Sequence, residues 1–442
     1  MTSAVERFQA LLRIPTVSSD DPSTVDWAAF ETFIATIAEF YPRVHAALPL
    51  ERVAGHSLLF HWKGTGSAAP TVLMAHYDVV PVIDSEWARP PFGAEIHGEG
   101  VDATIHGRGT LDDKGSVVAI LEAAEAALEA GFTPAADIYL SFGHNEEVAG
   151  DGARAIAELL RTRGIRPALV LDEGGAVVEG VFPGVDAPAA VIGVAERGIV
   201  TLELIASEAG GHASTPPRMP ATARLARAIT RLQARPFRPR LAPPVRAFVM
   251  RMGSNARQPY RWLFTNLRLT GGLVAFAFSR LGPETNAIVR TTAVATRLSG
   301  SPAANVLATT AKASVNIRIL TGDSVDGVVR HVRRAVADSA IDIEVHEPSE
   351  PSPVSPWTGA AWRRLETAIG DALGRDIIVT PYVQLGASDS RWFTVISDHV
   401  YRFTLFSMTG AERETVHAAN ERVRVDVWLR GIETYRRLIE LS

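Results

Sequence analysis

Four short motifs carrying acids and histidines follow one another along the chain: His76-Tyr77-Asp78, Asp112-Asp113-Lys114-Gly115, Glu146-Glu147 and Asp172-Glu173-Gly174-Gly175. One more candidate, His417, lies late. Nitrogen and oxygen donors in this number suit a pair of divalent ions. Such a pair needs one carboxylate to bridge it, further imidazole and carboxylate ligands on each ion, and a spare carboxylate to activate water.

Each motif also has a plainer reading. His76 and Asp78 stand two apart just past a strand, so alternation can turn both to one side, where Asp78 would hold the His76 ring; the plain alternative is a satisfied surface pair. In Gly107-Arg108-Gly109-Thr110-Leu111-Asp112-Asp113-Lys114-Gly115 the first glycines let the backbone pass close to a site. The two aspartates open a helix, whose dipole favours negative charge. A helix cap would explain one of them and not both. Adjacent side chains diverge, so one of Glu146 and Glu147 can bind metal while the other serves as general base; the alternative is two solvated loop acids. Asp172-Glu173 repeats that logic. His417 alone reads as a helix-entry histidine, and His212, in Gly210-Gly211-His212-Ala213-Ser214, sits on a flexible connection from which it could reach a site.

The elements that must position these groups are legible in outline. The apolar runs 71–75, 137–142 and 168–171 read as buried parallel strands, each ending near a candidate ligand. Open α/β sheets carry chemistry at the carboxyl ends of their strands, so motifs scattered in sequence can converge there. Helical patterns over 115–130 and 151–163 are closed by Gly131 and Gly164, completing a doubly wound α/β texture. After Pro183 the pattern changes. Segments 199–206 and 311–319 alternate like half-buried antiparallel strands, with a helix near 220–233 and a Pro/Arg-rich stretch over 235–246 between them. The α/β texture returns after about 348, with a helix over 358–373, a strand over 377–380 and a last amphipathic helix from about Asn420. A catalytic domain of residues 1–196 and 348–442 with an inserted domain of 197–347 follows, and the length of 442 residues suits two domains.

Composition narrows the function classes. Hydrophobic residues make up 47% and charged residues 21%, as in globular chains. The net charge of −5 leaves no basic footprint for nucleic acid. With no cysteine, disulfides, thiolate metal sites and a cysteine nucleophile are excluded together. No Gly-x-Ser-x-Gly elbow for a serine hydrolase occurs. The absence of a basic-then-apolar leader and of a long apolar run leads to the expectation of a cytoplasmic protein without a membrane partner.

In order and context the motifs resemble the dinuclear zinc exopeptidase and amidohydrolase family that includes aminoacylase, glutamate carboxypeptidase, carnosinase, succinyl-diaminopimelate desuccinylase and carboxypeptidase S. The resemblance covers nearly the whole chain. It is closest to the carboxypeptidase S branch, which also holds an N-fatty-acyl-amino-acid hydrolase/synthase. Trp87-Ala88-Arg89-Pro90-Pro91-Phe92, residues 107–114 and 172–175, the run from Thr285 to Thr292 and the run from Ala313 to Ile319 carry it. It implies an α/β zinc-exopeptidase-like catalytic domain with a mixed, mainly parallel sheet, plus an inserted α+β lid or dimerisation domain. It implies two divalent ions per chain, zinc first, with cobalt or manganese as alternatives. One would bind His76, Asp112 and Asp172, the other Asp112, Glu147 and His417. Glu146 would be the general base, Asp78 would orient His76, and the Asp112–Asp113 peptide would be cis. The resemblance further assigns His212 to the oxyanion, in dimeric members across the subunit interface, and Asn305, Arg318, Gly386 and Ser388 to the substrate carboxylate. The chain departs from many relatives at Asn145, where they have aspartate. The implied reaction is hydrolysis of an amide bond next to a free carboxylate, in a small peptide or an N-acyl amino acid, by a homodimer. Acyl-amino-acid synthesis and a non-catalytic ligand-binding relative stand as alternatives.

Overall fold

The computed structural model describes residues 3–180 and 182–442, which form two compact units. The first comprises residues 1–194, 255–258 and 355–442; the second comprises 195–254 and 259–354.

The first unit is built on an eight-stranded mixed sheet, parallel in its centre and antiparallel toward its edges. Strand Thr71–His76, buried at every position, lies between Ile138–Gly143 and Leu169–Val178 and runs parallel to both. Burial on both faces explains why these strands read as continuous apolar runs without alternation. The register aligns Thr71 with both Ile138 and Leu169 and puts His76 opposite Gly143, so the His76, Glu146-Glu147 and Asp172 motifs all leave the sheet at one end. Helices cover the faces. Lys114–Glu129 buries most of its length, and Val425–Glu440 packs against it, with the Trp428 indole donating to the Gly115 carbonyl at 3.0 Å.

Three segments differ from the sequence reading. Leu169–Val178 does not stop at Leu171 but continues through Asp172, and its pairing shifts between Asp172 and Gly175, opposite Arg402 and Phe403. Such a bulge re-aims the side chains it carries. The last helix begins at Val425, because Arg422–Arg424 pairs with Thr104–His106 in a small three-stranded sheet. His417 is not at a helix entry: it lies in the turn after the short helix Gly410–Arg413 with φ of 59°, a left-handed conformation uncommon for a residue other than glycine.

The second unit carries a four-stranded antiparallel sheet ordered Thr292–Ser299, Thr310–Ile319, Gly198–Ser207, Ile341–Ser349. Alternate residues of Thr310–Ile319 are buried, the period-two signature of a sheet with one covered face. Helices Ala221–Ala234 and Val325–Val336 supply the cover through Leu225, Leu232, Val328 and Val332. Further helices, Pro243–Ser254, Tyr260–Thr265, Leu267–Leu281 and Pro283–Val289, follow one another between Ala221–Ala234 and the strands that return to the sheet.

Candidate metal centre

Asp112 is the meeting point of the first unit's side chains. Its Oδ1 lies 2.9 Å from His76 Nε2 and its Oδ2 lies 2.9 Å from His417 Nε2. His417 Nε2 is also 2.9 Å from Glu147 Oε2. One carboxylate thus faces two imidazoles through its two oxygens. The peptide joining Asp112 to Asp113 is cis. Ligand-type atoms of His76, Asp112 and Glu147 lie within 4.8 Å of one another.

Asp78 positions both sides of this cluster. His76 Nδ1 has the Asp78 carbonyl at 3.1 Å and the Asp78 carboxylate at 3.3 Å, acceptors only, so Nδ1 carries a proton and Nε2 is the nitrogen turned to the cluster. The two carboxylate oxygens of Asp78 also accept from the backbone N–H groups of Glu146, at 3.1 Å, and Glu147, at 3.2 Å. One buried acid therefore fixes a ring and the loop bearing both glutamates. Gly143 is needed in the same place, because a Cβ there would stand 2.6 Å from Asp389 Oδ2.

Burial would raise the Asp112 carboxyl, but the imidazoles of His417 and His76 bring it well below the usual carboxylate range. For His76 burial opposes the charged ring, and the Asp112 and Asp78 carboxylates outweigh it. His417 is pushed up to about 10 by Asp112 and Glu147. The remaining acids go the other way. Glu146 and Glu173 are raised well above the ordinary range, first by burial and then by neighbouring carboxylates, Asp389 among those acting on Glu146. Glu147 and Asp172 are raised by burial, with His417 offsetting part of it for the first and Ser388 and Ser390 for the second.

This pattern fits divalent cations. More acid is buried here than two imidazolium rings balance, and Glu147 Oε1 is buried without a hydrogen-bond partner. Charge of that kind, left uncompensated in a low dielectric, is strongly unfavourable.

The structure brings His76, Asp78, Asp112, Glu147 and His417 into direct contact through their side chains, and Glu146 through its backbone. Asp172 is buried beside them and accepts from the Ser390 N–H at 2.8 Å. Ser388 bonds both Asp172 and the Ser390 hydroxyl, whereas Gly386 is exposed at the start of that loop. In the second unit, His212 and Asn305 come together: strand Gly211–His212 pairs with Val306–Leu307, and the Ala213 N–H donates to the Asn305 carbonyl at 3.0 Å. Both are exposed, and His212 Nδ1 is 2.7 Å from the Ser214 hydroxyl. Arg318 lies elsewhere in that unit, on the central strand Thr310–Ile319, half-buried. Asn145 accepts from the Gly152 N–H and donates to Asp151 at the entry of helix Gly152–Thr162. An aspartate there would set two carboxylates together.

Sequence reasoning missed Glu421. This fully buried acid accepts from the backbone N–H groups of Leu111 at 2.7 Å, Gly109 at 3.1 Å and Asp112 at 3.2 Å, and from Arg108 Nη1 at 2.7 Å. It ties the Asp112 loop to the segment that bears His417. Its place four residues after His417 was the available signal. Asp389, next to Ser388, was also missed, and its carboxylate acts on Glu146.

Comparison with known proteins converges on the same chemistry. A family model described as Peptidase family M20/M25/M40 matches residues 72–441. The Dictyostelium discoideum protein named "Probable carboxypeptidase S-like 2" is 34% identical over 90% of this chain and 77% of its own length. The Xenopus tropicalis N-fatty-acyl-amino acid synthase/hydrolase PM20D1 is 34% identical over 99% of this chain and 85% of its own. Among solved structures, the M20 family metallo-carboxypeptidase Sso-CP2 of Sulfolobus solfataricus shares the fold with a TM-score of 0.70 at 17% identity, covering 100% of this chain and 99% of that one.

Proposed function

The chain belongs to peptidase family M20/M25/M40, and from that premise we propose that it is a metal-dependent enzyme hydrolysing an amide bond next to a free carboxylate, of the Gly-X carboxypeptidase or dipeptidase type. The observation that carries this reading is Asp112, whose two oxygens face two different imidazoles with Glu147 against the second. His76, Asp112 and Asp172 would hold one divalent ion, and Asp112, Glu147 and His417 the other, with zinc the first candidate. When bound, such ions supply Lewis-acid polarisation of a carbonyl and lower the pKa of water.

The protein's own groups do the rest. Glu146, fixed through its backbone by Asp78, takes the proton of the attacking water and later returns it to the leaving amine. Asp78 keeps the His76 ring in the tautomer that leaves Nε2 for a ligand. His212 donates to the developing oxyanion, supplied across a homodimer. Asn305, Arg318, Gly386 and Ser388 meet the substrate carboxylate. On this reading residues 1–196 and 348–442 form the catalytic domain and 197–347 a lid or dimerisation domain. We place the enzyme in the cytoplasm, as the sequence reading expects.

The likeness to the synthase/hydrolase supports a second reading, an amidohydrolase or synthase of N-acyl amino acids. The deciding experiment is a screen of metal-loaded protein against dipeptides and N-acyl amino acids of graded chain length, with each panel competing against the other. Preference for dipeptides assigns the first reading, and preference rising with acyl length assigns the second. Full turnover by exhaustively metal-free protein ends both.

A further inference from the structure

Helix Leu267–Leu281 is apolar on two sides. Its inner side buries Leu267, Val274 and Phe278. Its outer side carries Leu269, Leu273 and Phe276, spaced as neighbours on one face and 82%, 62% and 48% exposed. The preceding helix Tyr260–Thr265 adds Trp262, 56% exposed. A helix that is apolar all round is ordinarily buried, so this outer stripe calls for a cover.

Charge indicates which cover. Between Glu208 and Glu284 the chain contains neither Asp nor Glu, while arginine recurs throughout, in a protein whose net charge is −5. Some of these arginines are held internally: Arg224 and Arg227 pair with Asp338, and Arg240 with Asp323. Arg261, Arg268 and Arg280 are exposed on these two helices, and among the described residues none of the three pairs with an acid. The Arg280 guanidinium lies over the Phe276 ring, 4.1 Å from its centroid.

We propose that the outer face of helices Tyr260–Thr265 and Leu267–Leu281 docks on an anionic lipid bilayer. The helices lie along the surface. Trp262, Leu269, Leu273 and Phe276 enter the acyl boundary, and the three arginines meet headgroup phosphates, Arg280 by extending its guanidinium from the apolar stripe. The sequence reading expected no membrane partner because no stretch is long enough to span a bilayer, and among the described residues no helix is long and apolar enough to cross one. Lying on a surface has no such length requirement. A second copy of this chain is a poorer occupant, because a two-fold contact would set the same arginines against one another. The proposal does not depend on the catalytic reading.

The test is co-sedimentation of the full chain with vesicles of phosphatidylcholine alone and of phosphatidylcholine mixed with phosphatidylglycerol. Binding is expected only to the mixed vesicles and to weaken as salt rises. Replacing Arg261, Arg268 or Arg280 by Gln lowers the partition coefficient about fivefold each. The double variant Leu273→Ser, Phe276→Ser abolishes sedimentation while leaving the thermal transition in place, which separates lost docking from lost folding. No binding by the parent protein, or equal binding to neutral and anionic vesicles, overturns the proposal. So does a parent dimer that the double variant dissociates in the absence of any vesicle binding, for the stripe then belongs to a second copy.

Discussion

The two groups of proposed active-site residues are held in opposite ways. Around Asp112 side chains and their loops are tied together: Asp78 holds His76 and the Glu146-Glu147 backbone, Glu421 holds the Asp112 loop, and the Ser390 N–H holds Asp172. Around His212 there is a two-residue strand pair, an exposed ring and one hydroxyl neighbour. A site that must bind cations has to be preorganised, because buried like charges tolerate no slack. A donor to a developing oxyanion also gains from preorganisation, so the exposed His212 ring would have to be fixed by the substrate or a covering surface before it contributes. Anchoring rather than burial separates the two groups, since His417 is itself exposed yet bonded to both Asp112 and Glu147, whereas Ser388 is buried.

Four experiments sharpen or break that contrast. The largest effect is expected for Asp112→Ala, which removes a contact to both imidazoles at once; turnover should fall below detection and elemental analysis should show both ions lost. Retention of two ions would mean that Asp112 is not the bridge. Glu146→Gln keeps shape without basicity, so turnover should drop on the order of 10²-fold to 10⁴-fold while metal content is unchanged. Near-normal turnover would hand the proton to another group. His212→Ala should cost on the order of 10²-fold to 10³-fold in kcat with little change in stability, as for one oxyanion donor. Mixed with inactive Glu146→Gln protein, it should regain part of the activity if the histidine acts across a dimer; absence of recovery despite subunit exchange would confine it to its own chain. The smallest effect is expected at the substrate carboxylate. Masking it as an amide should reduce kcat/KM roughly 10-fold to 100-fold, the worth of one charge-assisted hydrogen bond. Arg318→Ala should shrink that ratio, whereas an arginine with only a structural role would lower Tm and leave the ratio alone.

Much of the centre was legible because its residues stand next to strands whose apolar runs are unmistakable: Thr71–His76 ends on a candidate ligand, and Ile138–Gly143 ends four residues before another, Glu147. What stayed hidden has physical reasons. The strand through Asp172 was read short because acids and glycines break the apolar run, and only the pairing with Val400–Met408 shows the bulge. Strands Glu95–His97, Thr104–His106 and Arg422–Arg424 are too short for periodicity to register. Leu267–Leu281 escaped as a helix because residues apolar on both faces leave no period to detect. Glu421 was missed because three of its partners are backbone N–H groups, which no side-chain pattern encodes.

Glu421 also bears on the order in which the molecule is made. Its bond to Leu111 spans 310 positions, and His417 reaches Asp112 and Glu147 over comparable distances. During synthesis the earlier motifs emerge long before these two residues, so the strand-end acids wait together without the imidazole and the anchor that complete their arrangement. The contacts of His417 and Glu421 are thus made late, with a loop-closure entropy that local helix formation does not meet. A nascent chain paused before residue 417 would carry His76, Asp112, Glu147 and Asp172 without His417 or Glu421.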